Sequence, residues 1–142
     1  HTITAKDIEE NIGFSKDFNN FELRSALGEK NQLKSYQIVD YFAQNPKDHP
    51  LVVTTGMVFS YFSQLLQYHG LKDKSKFNVA KELKINPFFV KDYELAARNY
   101  PMRKVSAIVG TLRDIDVKSK GVGAASMTQH DLLKEMLINI FN

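Results

Sequence analysis

The side chains best suited to catalysis or metal binding are four histidines and two aspartates. The histidines are His1, His49, His69 and His130. None has a second histidine four positions away or lies in an HExxH pattern, so no shared metal site is predicted. Asp114 and Asp116 are two residues apart and would point to different helix faces, which favours solvated surface charges over a catalytic pair. With no cysteine, GxSxG motif or phosphate-binding loop, we predict no catalytic site and no cofactor.

Lysines and glycines that could contact nucleic-acid phosphates are concentrated between residues 118 and 126. Lys118 and Lys120 supply positive charge, while Gly121 and Gly123 would let a backbone approach closely. We predict a weak contact with the DNA backbone at these four residues. The alternative is an ordinary solvated loop that binds nothing.

The segment VAKELKINPFFV, residues 79–90, resembles a helix-turn-helix motif. Lys84 stands where such a turn usually holds glycine. Pro87, Phe88 and Phe89 stand where base recognition calls for Arg, Asn, Gln or Ser. A standalone DNA-binding regulator is therefore kept as the alternative function, and helix packing in an oligomerisation domain is the favoured one.

Large aromatic side chains point to a protein partner. The chain holds 10 Phe, 6 Tyr and 4 Met, more than one central helix needs, and such residues are enriched where proteins dock. We predict Phe88, Phe89, Tyr93 and Tyr100 as exposed anchors at a partner interface. The alternative for each of them is a place in the core.

A long apolar helix is predicted to organise the elements that carry these residues. It spans Pro50–Leu71, and no residue between Leu51 and Tyr68 carries a formal charge. A helix that is apolar on more than one face has neighbours on several sides. A membrane span is the alternative, but the threonines, serines and glutamines in this stretch argue against it.

The remaining elements are also predicted to be helical, because caps and apolar residues at helical spacing recur along the chain. Five of the predicted helices cover residues 4–12, 19–27, 32–44, 77–83 and 86–100. A sixth begins at Pro101 and has its apolar face on Val105, Ile108, Val109, Leu112 and Ile115. The last is capped by Thr128 and Asp131. No segment alternates at period two. The predicted fold class is all-α, a compact bundle of about seven to eight helices.

The bulk composition fits one globular domain. The 142 residues are 43% hydrophobic and 25% charged, with a net charge of +3, which does not by itself indicate a nucleic-acid binder. The absence of cysteine fits a reducing cytoplasm, so we expect a cytoplasmic protein. The chain begins with His1 instead of Met. We interpret this residue as tag-derived or as a processed end, and expect the natural protein to start upstream.

Three ordered runs resemble one protein family. They are FNNFELRSALGEKNQLKSYQIVDYFAQNPKDHPLVV (18–53), AKELKINPFFVKDYELAARNYPMRKV (80–105) and LRDIDVKSKGVG (112–123), followed by a terminal LLKEML helix. Over about residues 12–142 the chain resembles the C-terminal part of the bacterial DNA polymerase III delta subunit, in its Bacteroidetes-type form.

The resemblance implies a non-catalytic subunit of the clamp loader that acts in DNA replication. Residues 1–13 would be the tail of a lid domain, and 14–142 the helical collar domain. Its partners would be the ATPase subunits of tau or gamma type, the delta-prime-type subunit and, weakly, primer-template DNA. The sliding clamp would be bound only through a region upstream, and no membrane is involved.

One feature departs from the family pattern. In some members the loop before the last helix carries an aromatic residue near the primer-template junction. Here Gly121 and Val122 occupy that place. The resemblance therefore implies a salt-sensitive, sequence-independent backbone contact through Lys118 and Lys120, without base stacking.

Overall fold

A computed structural model describes residues 18–120 and 128–142 of the chain. The described residues form seven α-helices and one 3₁₀ turn, with no strand among them, which confirms the all-α prediction. The helices are α1 (Asn20–Gly28), α2 (Gln32–Gln44), α3 (Leu51–Gly70), α4 (Lys76–Leu83), α5 (Val90–Asn99), α6 (Met102–Ser119) and α7 (Gln129–Phe141), with the 3₁₀ turn Pro87–Phe89 leading into α5.

Side-chain caps begin several of these helices. Asn19 accepts a hydrogen bond from the Glu22 backbone N–H at 2.8 Å, and so opens α1 as the sequence predicts. The Asn31 side chain caps α2 in the same way. At α7 the predicted capping box is complete. Thr128 accepts from the Asp131 N–H, and Asp131 accepts from the Thr128 N–H. Local sequence therefore sets where these helices begin.

Helix α3 is the centre of the bundle. Its most extensive packing is along α6, and it also contacts α1, α4, α5 and α7. Thr55, near its start, hydrogen-bonds Ser119 at the end of α6, while His69, near its end, contacts the Tyr100 carbonyl just before α6 begins. The two helices are thus antiparallel, and the predicted central helix has neighbours on several sides.

The core is continuous around α3. Phe42, Phe62 and Tyr100 are among the largest side chains with no exposed surface, and the rings of Phe62 and Tyr100 meet edge to face at 5.4 Å. The predicted apolar face of α6 is buried from Val105 to Ile115, as is that of α7. Burying each such side chain contributes about 1.5–3 kcal/mol before the entropy of ordering is subtracted.

Several predicted boundaries differ from the structure. The helix predicted over 86–100 begins as the 3₁₀ turn at Pro87, because the proline and the Asn86 cap favour a tight first turn. Pro50 is the N-cap residue that precedes α3 instead of its first helical residue, and Gly70 is the last helical residue instead of the residue after the helix. Helix α6 continues to Ser119, so Lys118 is helical and not part of a loop. The helix predicted over 4–12 lies outside the described residues.

The alternative of a membrane-spanning helix finds no support in the described ranges. None of their helices combines the length and the apolar character that crossing a bilayer requires.

Candidate functional site

The 3₁₀ turn holds two adjacent phenylalanines at the surface. The Asn86 side chain accepts a hydrogen bond from the Phe88 N–H at 2.8 Å, and Pro87 restricts the backbone beside it. Phe88 is 65% exposed and Phe89 is half-buried. The prediction that these two rings are accessible to a partner is therefore compatible with their positions. Contact with a partner stays a prediction.

Phe21 of α1 joins these two rings to form an aromatic ridge, defined here as Phe21, Phe88 and Phe89. The Phe89 ring meets Phe21 edge to face at 5.8 Å and Phe88 at 5.4 Å. The Arg24 guanidinium lies 5.1 Å from the Phe21 ring centre and 6.0 Å from that of Phe89. Such cation–π contacts fix the arginine beside the rings while leaving its N–H groups available.

A cavity of about 60 Å³ opens beside the ridge, between α1 and α5. We call it the tyrosine pocket. The residues that line it include Phe21, Arg24 and Gly28 of α1, Tyr61 of α3 and Phe89 of the 3₁₀ turn. A Cβ at residue 28 would stand 2.5 Å from the Tyr61 hydroxyl oxygen, so glycine makes room for that hydroxyl.

The other two predicted anchors are core residues, which corrects their expected exposure. Tyr93 is 2% exposed and Tyr100 has no exposed surface. The Tyr93 hydroxyl donates to Gln64 Oε1 at 2.8 Å, and the Tyr100 hydroxyl donates to the Leu27 carbonyl at 2.7 Å. Burial raises the pKa of both phenols. Both rings can be buried because their hydroxyls find hydrogen-bond acceptors inside the bundle.

The two lysines of the predicted DNA contact pair with carboxylates of the chain itself. Lys118 lies 3.5 Å from Glu135 of α7, and Lys120 lies 3.0 Å from Asp116 one helical turn earlier. Both lysines remain partly exposed, so they can exchange these partners for phosphate at some electrostatic cost. Gly121 and Gly123 lie outside the described residues.

Three histidines are engaged within the bundle. The His49 ring stacks on Phe42 at 4.2 Å, His69 Nε2 contacts the Tyr100 carbonyl at 2.8 Å, and His130 Nε2 lies 2.7 Å from Asp40. In the two parts of the chain that the structure describes, no group of three metal-ligating side chains occurs.

Sequence reasoning missed the residues that complete the ridge and the pocket. Arg24 follows Phe21 by three positions, a spacing that places both on one helix face and could have been noticed. The meeting of Phe21 with Phe89 and the position of Tyr61 below Gly28 depend on tertiary packing, for which the sequence contains no local signal.

Comparison with known proteins gives one match. The family described as DNA polymerase III delta subunit, C-terminal domain, matches residues 17–139. No curated protein and no solved structure matches the chain. Since the family match extends from before α1 to the last turn of α7, the chain belongs to the family of C-terminal domains of the DNA polymerase III delta subunit.

Proposed function

We propose that this chain is the assembly domain of a clamp-loader delta subunit, which holds that subunit to its neighbours by helix packing. The observation that carries the proposal is the family match over residues 17–139. Its partners are the ATPase subunits of tau or gamma type and the delta-prime-type subunit. The domain acts in the cytoplasm as a non-catalytic part of the replication machinery.

The proposed domain boundary lies near residue 14. Residues 1–13 would end a preceding lid domain, and residues 14–142 would form the collar domain. The start of the family match at residue 17 supports this division. We further propose the Bacteroidetes-type form of the subunit, on the strength of the three ordered runs within residues 18–123.

The aromatic ridge supports an assembly role. Phe21 and Phe88 are 48% and 65% exposed, although apolar burial would stabilise both. Exposed apolar side chains grouped in one patch are typical of protein interfaces. A standalone helix-turn-helix regulator is not proposed, because phenylalanine and proline occupy the positions that would read bases.

Contact with primer-template DNA is a secondary part of the proposal. Lys118 and Lys120 would touch phosphates without reading sequence, with Gly121 and Gly123 allowing close approach. Because both lysines also have carboxylate partners in the chain, the contact would be weak. The sliding clamp would be bound by regions upstream of this chain.

The test is co-purification of the full delta subunit with the loader's ATPase subunit, with and without residues 14–142. We expect the deletion to abolish the complex while the remaining part still folds and binds the clamp. Persistence of the complex after deletion would show that this domain is not the assembly element.

A further inference from the structure

One phenylalanine at the surface is almost completely uncovered. Phe77, in the first turn of α4, is 80% exposed, the largest value among the exposed large apolar side chains of the described residues. Within those residues its ring contacts no second aromatic ring and no cation. The helix is held to the bundle by the buried residues Val79, Ala80 and Leu83. The fold therefore makes no use of the Phe77 ring.

Lysines surround this ring. Lys81 follows Phe77 by four positions, so the two side chains lie on one face of α4, one turn apart. Lys76 directly precedes the ring and Lys84 ends the helix. All three lysines are exposed, and none has an ion-pair partner in the ranges that the structure describes. We call Lys76, Phe77, Lys81 and Lys84 the basic aromatic patch.

The carboxylates closest in sequence do not neutralise the patch. Glu82, the one acidic residue of α4, is five positions from Phe77 and so lies on another side of the helix. Asp73, before the helix, accepts a hydrogen bond from the Ser75 backbone N–H at 2.9 Å. Three ammonium groups around one bare ring therefore favour an anionic ligand that also carries flat apolar groups.

Two kinds of anionic ligand fit this arrangement less well than a single strand does. Binding to an anionic membrane calls for a broad apolar helix face, but the apolar face of α4 is buried in the bundle and only one ring remains outside. In a nucleic-acid duplex the bases are already stacked on one another. A single strand offers unpaired bases to an aromatic ring and phosphates to lysines, which is how proteins commonly hold it.

We propose that the basic aromatic patch binds single-stranded nucleic acid, with one base stacked on the Phe77 ring and phosphates at Lys81 and Lys84. This site is separate from Lys118 and Lys120. Their helix ends beside Thr55 near the start of α3, whereas Gln67, near the end of α3, donates to the Glu82 carbonyl of α4. The inference goes beyond the proposed assembly function and does not depend on it.

The first arm of the test measures fluorescence anisotropy of a labelled oligothymidylate of about ten nucleotides at about 50 mM salt. We expect Phe77→Ala to weaken binding about fivefold or more, the value of one lost stacking contact. Phe77→Leu keeps an apolar side chain but removes the ring, and should weaken binding to a similar degree. Phe77→Tyr should bind as wild type. Because residue 77 is exposed, none of these variants should melt earlier than wild type.

The second arm tests the lysines. Lys81→Ala with Lys84→Ala should weaken binding and reduce the slope of log affinity against log salt by about 0.7 for each lysine that contacts a phosphate. The control pair, Lys47→Ala with Lys134→Ala, removes two exposed lysines outside the patch. Phe88→Ala removes an exposed ring of the aromatic ridge. Both controls should bind as wild type.

The same measurements define the results that would overturn the inference. Binding of a duplex or of polyglutamate as tight as that of the single strand would show that base stacking contributes nothing. A preference for phosphatidylserine vesicles would point to a membrane instead. A loss in Phe88→Ala as large as in Phe77→Ala would move the contact to the ridge. Assembly of Phe77→Ala with the loader subunits is measured separately and should be unchanged, so failure of this inference leaves the proposed function intact.

Discussion

At the scale of single residues, three buried tyrosines differ in the surroundings of their hydroxyl groups. Tyr93 and Tyr100 direct their hydroxyls to acceptors within the chain and so complete the core. The Tyr61 hydroxyl instead lies close to Gly28, and both residues line a cavity beside the exposed aromatic ridge. Sequence alone treats all three as aromatic residues at helical spacing. Their difference is set by which acceptor the fold brings within hydrogen-bond distance.

Replacing Tyr100 by phenylalanine tests the role of its hydroxyl in the core. We expect the free energy of unfolding to fall by about 1 kcal/mol, the usual net value of one hydrogen bond. The loss stays moderate because the Leu27 carbonyl also accepts from the Lys30 N–H at 2.9 Å. Urea unfolding measures it, with Tyr61→Phe as the control that should lose nothing. Equal stability of Tyr100→Phe and wild type would contradict this account.

Asp131 makes the stability of α7 sensitive to acid. Hydrogen bonds from Thr128, first from its backbone N–H, lower the pKa of the Asp131 carboxyl from its ordinary 3.8. Because the pKa is lower in the folded chain than in the unfolded chain, this stabilisation is complete from about one pH unit above the ordinary value of 3.8. It is lost as the pH falls through the lowered value.

The measurement is the difference in urea midpoint between wild type and Asp131→Asn, from pH 7 down to pH 2.5. The asparagine keeps a hydrogen-bond acceptor at the cap but does not ionise. We expect a constant advantage of wild type above about pH 5 that shrinks in the acid range. A difference that stays the same at every pH would show that ionisation of Asp131 does not support the cap.

At the scale of helices, local sequence predicts most of the architecture. Asn19 with Glu22 and Thr128 with Asp131 are caps whose hydrogen bonds involve only neighbouring residues, and both are present in the structure. The end of α6 was predicted too early, because lysines and glycines from residue 118 onward resemble a loop. In the structure the Thr55 hydroxyl of α3 donates a hydrogen bond to the Ser119 hydroxyl in the last turn of α6. This tertiary contact is not visible in the local sequence.

The turn after α4 contains a lysine in a conformation that suits glycine. Lys84 ends α4 with φ 57° and ψ 46°, in the left-handed region. This region costs an L-residue about 1–2 kcal/mol, whereas glycine adopts it freely at a smaller entropic cost. We expect Lys84→Gly to raise the free energy of unfolding by about 0.5–1 kcal/mol.

The matched control is Lys81→Gly in the same helix, which should lower stability by about 1 kcal/mol because glycine weakens a helix interior. Urea unfolding of both variants gives the comparison. If both glycines lower stability alike, the left-handed geometry of residue 84 is not a source of strain.

At the scale of the whole molecule, the fold class could be predicted from the sequence, but the set of residues exposed at the surface could not. Helical periodicity identifies which faces are apolar, and those of α6 and α7 are indeed buried. It does not say which apolar residues remain outside, so Tyr93 and Tyr100 were misplaced while Phe21 was overlooked as a ridge residue. Lys118 and Lys120 were identified as charges, yet their pairing with Glu135 and Asp116 depends on how α6 and α7 meet.

The DNA contact is tested by fluorescence anisotropy with a labelled primer-template. We expect the chain to bind weakly, with an affinity that falls steeply between about 50 and 200 mM salt, as phosphate contacts require. Lys118→Ala with Lys120→Ala should reduce both the affinity and its salt dependence. The control pair, Lys72→Ala with Lys74→Ala, lies at the opposite end of α3 and should change neither. Equal effects of the two pairs would remove residues 118 and 120 from the proposed contact.

The central claim is that this helical domain suffices for assembly. The most direct measurement is analytical ultracentrifugation of the isolated 142-residue chain mixed with the loader's ATPase subunits and delta-prime-type subunit. Our account predicts that the chain sediments with them in one complex, and that excess chain displaces the full delta subunit from a preformed loader. Independent sedimentation at micromolar concentrations, with no displacement of the delta subunit, would contradict it.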